Sequence, residues 1–503
     1  MLAIYPDIDQ IRRQAQTGAT FVPVYCELLS DNLTPVMAFA RLNASAEHAF
    51  ILESVVGGEK IARYSFLAAN PREVFVAKGR HTRILRGDQV VRELDCNDPL
   101  AELERVMADY HALHHLPGMP RFLGGAVGYA SYDLVRFYEP LPHAPPDDRD
   151  LPDLLFGLYD TMVIFDHVFK TVKIVSHVDV AGLGVEAGYE AARRNIHRVA
   201  EDLSRPALTV VNSIDASQPP RIQYTSNMTR QRFEQAVEGC LEYIRAGDIF
   251  QVVLSQRLAA ATTADPFNVY RALRAVNPSP FMFYLKSPQV RLVGSSPEIM
   301  CRVEDRVITN RPLAGTRRRG KTEAEDKQLE QELLADPKER AEHVMLVDLG
   351  RNDVGRVAEL GSIRLSEIMT VERYSHVMHI SSEVIGKLAE GKTAFDALRA
   401  TLPVGTVTGA PKVRAMQIID EFEPTLRGPY AGAVGYFDFA GNMDTCLALR
   451  TIVITPAGDG KWNAYVQAGA GIVADSVPAR EYEETMSKAA GLFKAIDVAE
   501  RNL

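Results

Sequence analysis

The chain has 503 residues, 46% of them hydrophobic, enough to bury a large core in roughly two to four domains or one elaborate one. A formal net charge of −9 argues against nucleic acid or an anionic membrane as the main partner, and no apolar run approaches the roughly 20 residues that span a bilayer. Cys26, Cys96, Cys240, Cys301 and Cys446 are scattered and form no CxxC pair, the pattern of reduced thiols in a cytoplasmic protein, and Met1-Leu2-Ala3-Ile4-Tyr5-Pro6-Asp7 lacks the basic and apolar regions of a secretion signal.

Thr20 to Tyr25, Ala49 to Ser54, Tyr64 to Ala68 and Glu73 to Ala77 read as short strands separated by turn signals, which predicts an antiparallel sheet. Asp98 to Leu113 has helical spacing. Leu123-Gly124-Gly125-Ala126-Val127-Gly128-Tyr129-Ala130 reads as a bent, glycine-rich strand and is similar to Gly432-Ala433-Val434-Gly435-Tyr436-Phe437 further on. Glu139 to Asp153 is an exposed loop, Met162–Phe165 and Val172–Val175 form a hairpin, and Ala187 to Leu203 is a helix. Pro206 to Ser226 is polar and contains Pro219-Pro220, which sets a domain boundary between 1–225 and 226–503. Beyond it, Phe233, Val237, Leu241 and Ile244 mark a helix that ends at Gly247, followed by a strand from Phe250, a helix over Phe267–Val276 and a strand from Phe281. The fold class expected is α+β, with more strands than a doubly wound sheet would show.

Near the C-terminus, a strand over Trp462–Val466 runs into a glycine turn, Gly469-Ala470-Gly471, and then into a helix begun by Ser476 as N-cap and Pro478. With no Cβ in the way, N–H groups there can approach an anion. Glu481 and Glu484 share a helix face and suit a hard cation. An ordinary turn beside a helix dipole would look the same.

Gly315-Thr316-Arg317-Arg318-Arg319-Gly320-Lys321-Thr322 matches the nucleotide-binding P-loop letter for letter. A P-loop must leave a buried parallel strand and enter a helix at once, whereas Asn310-Arg311-Pro312 interrupts the apolar run before it. The arginines are therefore read as an anion-facing loop or a solvated surface. Leu329 to Leu349 fits helices.

Further stretches carry features that packing does not require. Ser296-Pro297-Glu298 places a carboxylate on a turn after a strand, suited to general acid work once desolvated. Glu342 lies on a helix that starts at Asp336-Pro337. Arg373-Tyr374-Ser375-His376-Val377-Met378-His379 sets two histidines three apart, and Thr408-Gly409-Ala410-Pro411-Lys412 is a turn suited to binding or to capping. Cys446 to Arg450 ends an apolar strand in a guanidinium that can clamp a carboxylate. Each motif alone has a structural explanation: a turn, a dipole, core histidines, a cap or a salt bridge.

Their order along the chain is specific. Pro280-Phe281-Met282, Ser296-Pro297-Glu298, Arg311 to Arg317, Glu342 to Leu349, Arg351-Asn352-Asp353, Val377-Met378-His379, Gly409-Ala410-Pro411-Lys412 and Gln467 to Gly471 together resemble the chorismate-utilising enzymes, most closely their anthranilate synthase component I branch. The resemblance is dense from about Phe250 to Lys488 and thinner before, in Ile51-Leu52-Glu53-Ser54. It implies a large antiparallel β-sandwich with helices outside, region 226–503 binding chorismate and region 1–225 carrying a tryptophan-feedback site. Mg²⁺ would be held by Glu342 and Glu484, with Glu481 as an additional or water-mediated ligand. Gly315, Thr316, Tyr430, Arg450 and the backbone of Gly469, Ala470 and Gly471 would bind chorismate. Glu298 would be the acid, and His379 would serve the elimination of pyruvate. Glu53, Ser54, Pro280, Phe281 and Met282 would bind tryptophan as inhibitor.

Isochorismate synthases resemble this chain but carry a lysine base where Gln251 stands. Aminodeoxychorismate synthases carry a nucleophilic lysine where Ala314 stands. Both differences favour ammonia as nucleophile and loss of pyruvate. No cysteine has a glutaminase setting, so a separate glutamine amidotransferase subunit is expected, giving a hetero-oligomer. The alternatives are an aminodeoxychorismate or aminodeoxyisochorismate synthase, a P-loop NTPase, and a non-catalytic amino-acid sensor.

Overall fold

Among the described residues, the period-two alternation of the strands builds two antiparallel sheets of twelve strands each. The computed structural model describes residues 2–54, 63–112, 116, 118–206, 215, 218–374 and 377–502. Ala49–Glu53 pairs with Phe281–Lys286, Phe50 opposite Leu285 and Leu52 opposite Phe283. One face of this pair, with Phe50, Phe283 and Leu285, packs on Val74, Val127 and Val434 of the second sheet. The other face, with Ile51, Met282 and Tyr284, packs under helices. The result is the expected α+β sandwich.

Pro35–Asn43, Val185–Ser204, Pro266–Val276 and the long Pro478–Asn502 helix cover the outer face of the first sheet through Phe39, Ile196, Leu273 and Ile496. Pro99–Met107, Pro337–Gly355 and Ala394–Thr401 cover the second through Leu103, Val354 and Leu398. Strands from both sides of position 225 pair in both sheets: Glu53 with Met282 in the first, and Gly125–Ala130 with Ala433–Asp438 in the second. The two similar glycine-rich segments are therefore direct partners, Gly128 opposite Gly435. A Cβ on Gly128 would lie 1.9 Å from the Leu155 carbonyl, which excludes any other residue there.

Two expectations are corrected. Gly469 to Gly471 is no turn but the end of the Lys461–Ile472 strand, paired with Gln251–Thr262. The arginine segment, where no P-loop was expected, is no loop either but begins in an antiparallel strand, Leu313–Arg318, paired with Val377–Lys387, while Leu329 to Leu349 lies in helices as expected. Ser476 accepts from the Val473 N–H at 3.0 Å and closes the turn before the helix. No helix of the described residues is long and apolar enough to cross a membrane.

Candidate active site

The chain passes between the sheets twice at one place. Arg291–Ser296 lies in the first sheet and Ile299–Glu304 in the second, with Glu298 at the passage. Met443–Leu447 lies in the second and Thr451–Gly458 in the first, with Arg450 at the passage. The passages are stitched together: Leu447 N–H donates to the Glu298 carbonyl and Ser295 N–H to the Arg450 carbonyl, each at 3.1 Å. Sheet topology thus brings a carboxyl and a guanidinium from 152 positions apart to one seam.

Glu298 is buried, and its side chain accepts from the Thr406 hydroxyl at 3.0 Å. Burial pushes its carboxyl up to about 8, only partly opposed by that bond, so it holds a proton near neutral pH. His379 stands opposite Thr316 across two paired strands. Its Nδ1 lies 2.9 Å from the Gly315 carbonyl and 3.1 Å from the Thr316 hydroxyl. A carbonyl only accepts, so this bond assigns the proton to Nδ1 and leaves Nε2 as the basic position. Burial also lowers the His379 pKa, keeping the ring neutral. Gly315 takes φ +70°, a left-handed turn within the strand bulge that aims its carbonyl at the histidine. His376 lies outside the described residues.

Tyr374, a residue that sequence reasoning missed, connects these groups. Its hydroxyl donates to Glu372 at 2.8 Å beside the Pro297 carbonyl, and its ring meets His379 edge to face at 5.5 Å. Its place within the histidine motif was the available signal.

Arg450 is the electrostatic anomaly. Its guanidinium makes no hydrogen bond or ion pair with any described residue, and burial lowers its pKa. A half-buried cation without a counter-ion is costly and favours an anion beside it. The open edge of the Lys461–Ile472 strand provides more donors. Val253 N–H goes to the Thr408 carbonyl and Ser255 N–H to Glu423, so neither faces the neighbouring strand. Their register partners Gly471 and Gly469 therefore turn their own N–H groups outward, while Ala470 bonds within the ladder. On that outward side the pairing with Thr451–Gly458 stops at Val466. Side-chain tips explain both glycines: a Cβ on Gly469 would lie 2.9 Å from the Tyr430 hydroxyl, and one on Gly471 would lie 2.8 Å from Gln251 Nε2. Lys488, another residue without an assigned role, donates to the Gly469 carbonyl at 2.9 Å and pairs with Glu484 at 2.7 Å.

Asp336 caps the Pro337–Gly355 helix by accepting from Lys338 N–H at 2.9 Å, and this sets the face carrying Glu342. Gln251 donates to Glu342 at 3.0 Å. Burial raises the pKa of Glu342 and of Glu481, and the charge of Glu484 adds to both. Three carboxylates from two helices thus face one another. Among the described residues no three such groups converge tightly enough to enclose an ion, so this is an open cluster. Hard oxygen donors whose mutual repulsion Lys488 and Lys338 relieve only in part fit Mg²⁺.

Other candidate anion sites are used up by the fold. Arg317 pairs with Asp336 and Glu339, each at 2.7 Å, Arg319 with Asp326 at 2.8 Å and Arg318 with Glu325 at 3.3 Å, so the arginine cluster faces its own carboxylates. Lys412 holds both oxygens of buried Asp353 at 2.6 Å. Glu53 lies away from the seam, accepting from Tyr270 at 2.6 Å and pairing with Arg274 at 2.8 Å. Its strand neighbours Pro280 and Met282 are buried, while Phe281 and Ser54 are half-buried.

The chorismate binding enzyme family matches residues 47–494. The anthranilate synthase component 1 of Acetivibrio thermocellus is 48% identical over 98% of this chain and 99% of its own length. A crystal structure of anthranilate synthase component I from Streptococcus pneumoniae TIGR4 superposes with TM-score 0.75 at 38% identity, covering 93% of this chain and 99% of that one. The menaquinone-specific isochorismate synthase MenF of Escherichia coli shares the fold, with TM-score 0.67 at 18% identity over 97% of this chain and 98% of its own. The chain belongs to the chorismate-binding enzymes.

Proposed function

We propose that the chain converts chorismate and ammonia to anthranilate and pyruvate, the entry reaction of tryptophan biosynthesis. The observation that carries this reading is the half-buried Arg450, unpartnered among the described residues, at a seam shared with a protonated Glu298. Chorismate is a dicarboxylate. Arg450, the Tyr430 hydroxyl and the Gly469 and Gly471 N–H groups suit its enolpyruvyl carboxylate, with Gly315 and Thr316 beside the ring. The ring carboxylate faces Glu342, Glu481 and Glu484, which would hold Mg²⁺. The ion supplies charge neutralisation between the glutamates and that carboxylate.

The ammonia lone pair forms the C2–N bond as the ring double bonds shift and the C4–O bond breaks. Glu298 gives its proton to the departing hydroxyl, which leaves as water, and the resulting carboxylate recovers a proton from the new ammonium. In the second stage His379 Nε2 takes the C2 proton, the C3–O bond breaks and the ring becomes aromatic. The departing enolpyruvate takes up a proton and becomes pyruvate. Aromatisation drives this stage, so the protein mainly orients groups and neutralises charge.

Gln251 and Ala314 support ammonia over water and over covalent catalysis, since an amide tied to Glu342 is no base and a methyl group no nucleophile. No thiol is suited to glutamine hydrolysis: Cys26, Cys240, Cys301 and Cys446 are buried with raised pKa values, and Cys96 contacts Thr82. A glutamine amidotransferase partner would supply ammonia, and tryptophan would inhibit through the pocket of Glu53, Ser54, Pro280, Phe281 and Met282. Incubating the chain with chorismate, Mg²⁺ and ammonium at alkaline pH tests the reading. Anthranilate fluorescence and pyruvate should rise together; an aminated product without pyruvate would overturn it.

A further inference from the structure

Behind the seam lies an ion pair that this chemistry does not use. Arg427 is 2% exposed and Glu423 4%. Arg427 Nε donates to Glu423 Oε2 at 2.9 Å and Nη2 to Oε1 at 2.6 Å. Its other donations go to the Val407 and Val253 carbonyls, both at 2.7 Å. Glu423 Oε1 also accepts from the N–H and hydroxyl of Ser255, at 2.8 and 2.7 Å. The Ser255 Oγ in turn accepts from Gln467 at 2.9 Å. The guanidinium lies 4.8 Å from the Tyr132 ring and 5.5 Å from the Tyr430 ring.

These contacts end on segments that line the site. Val407 adjoins Thr406, the donor to Glu298. Val253 and Ser255 stand opposite Gly471 and Gly469, and their outward bonds are what turn those two N–H groups toward the cleft. Tyr430 lies against Gly469. Desolvation consumes most of what a buried ion pair gains in Coulomb energy, so net stability does not account for it. A planar guanidinium with fixed donors does impose geometry on all its acceptors at once.

We propose that the Arg427–Glu423 pair is a positioning device that holds Tyr430, the glycine strand edge and Thr406 in mutual register for the substrate. It rests on the reading that these groups bind and protonate chorismate. A lysine at 427 keeps the charge but cannot reach both carbonyls and Glu423 in one plane. Arg427→Lys is therefore expected to raise KM for chorismate by on the order of 10- to 100-fold while KM for ammonia stays within about twofold. Weakening the Thr406 bond, which favours the ionised carboxyl, should also move the alkaline limb of the rate profile to higher pH.

The test measures both KM values, the pH profile and Tm for wild type, Arg427→Lys and the near-isosteric Glu423→Gln. Chorismate affinity without ammonia is read in parallel by calorimetry. A wild type that binds chorismate but makes no anthranilate sinks the reaction reading, whereas the affinity ratio of variant to wild type still decides the positioning proposal. A folded variant with wild-type KM and pH limb overturns it. So does a lowered Tm with a reduced active fraction but unchanged KM. If Arg427→Lys does not fold, Glu423→Gln carries the same readings.

Discussion

Glu298 and Glu53 are equally buried, each 6% exposed, and Glu298 follows a strand that lies two places from that of Glu53 in the first sheet. Glu53 is surrounded by donors, the Tyr270 hydroxyl and the Arg274 guanidinium. Glu298 receives the Thr406 hydroxyl and the Leu313 N–H, and Arg450 on the same seam is left without a partner among the described residues. Around Glu298 burial outweighs these bonds and favours the neutral acid. Equal burial therefore comes with unequal pairing: Glu53 is tied to a guanidinium, and Glu298 has no ion pair among the described residues.

The strongest way to break this comparison is Glu298→Gln, which removes the proton but keeps the shape. It should lower kcat by about 10²- to 10⁴-fold, as loss of a general acid does. Stability should move the other way. The unfolded carboxyl ionises near 4.5 and the folded one near 8, so between these values the folded state binds more protons. Wild-type stability must then fall as pH rises through that window, and Tm of Glu298→Gln should exceed wild type above it. Equal Tm across pH 5 to 8, within the window just derived, would contradict the shift. For the same reason, kcat normalised to free ammonia should fall as pH rises through about 8.

Arg450→Ala removes the complementary charge. Loss of a charge-assisted contact of about 1.5–3 kcal/mol should raise KM for chorismate roughly 10- to 100-fold with little change in the KM for ammonia. Steady-state kinetics with each substrate varied separates the two. Glu484→Gln should raise the Mg²⁺ concentration needed for half-maximal rate by at least about 10-fold, with the far-UV spectrum unchanged. An unaltered Mg²⁺ titration removes Glu484 from the cluster. The smallest catalytic effect belongs to Glu53→Gln, which should leave uninhibited kcat within about twofold, abolish inhibition by tryptophan and cost on the order of 1–3 kcal/mol through the stranded Arg274. A large loss of kcat there would mean that the two carboxyls are not separable.

Local pattern carried much of the architecture. The short alternating strands, the helix opened by Asp336-Pro337 and the passage ending in Glu298 are legible because periodicity, caps and turns act over a few residues. The Gly-Ala-Gly segment was misread for the same reason. Glycines suggest a turn, and only the tertiary contact with the Tyr430 hydroxyl and the Gln251 amide shows that a strand can need them. The arginines of the rejected P-loop match show the same limit: three arginines look alike in sequence whether they face a ligand or, as here, carboxylates on the following helices.

The sequence by itself determined the family, the strand and helix content and the residue types able to bind a dicarboxylate, since ordered motifs and hydrophobic period are written along the chain. The tertiary structure alone decided which charges remain free. Arg450 is unpartnered and Arg427 fully paired, though both are arginines followed within a few residues by strands. Pairing depends on what long-range topology brings alongside, and a buried charge acquires its role only from the partner it has or lacks.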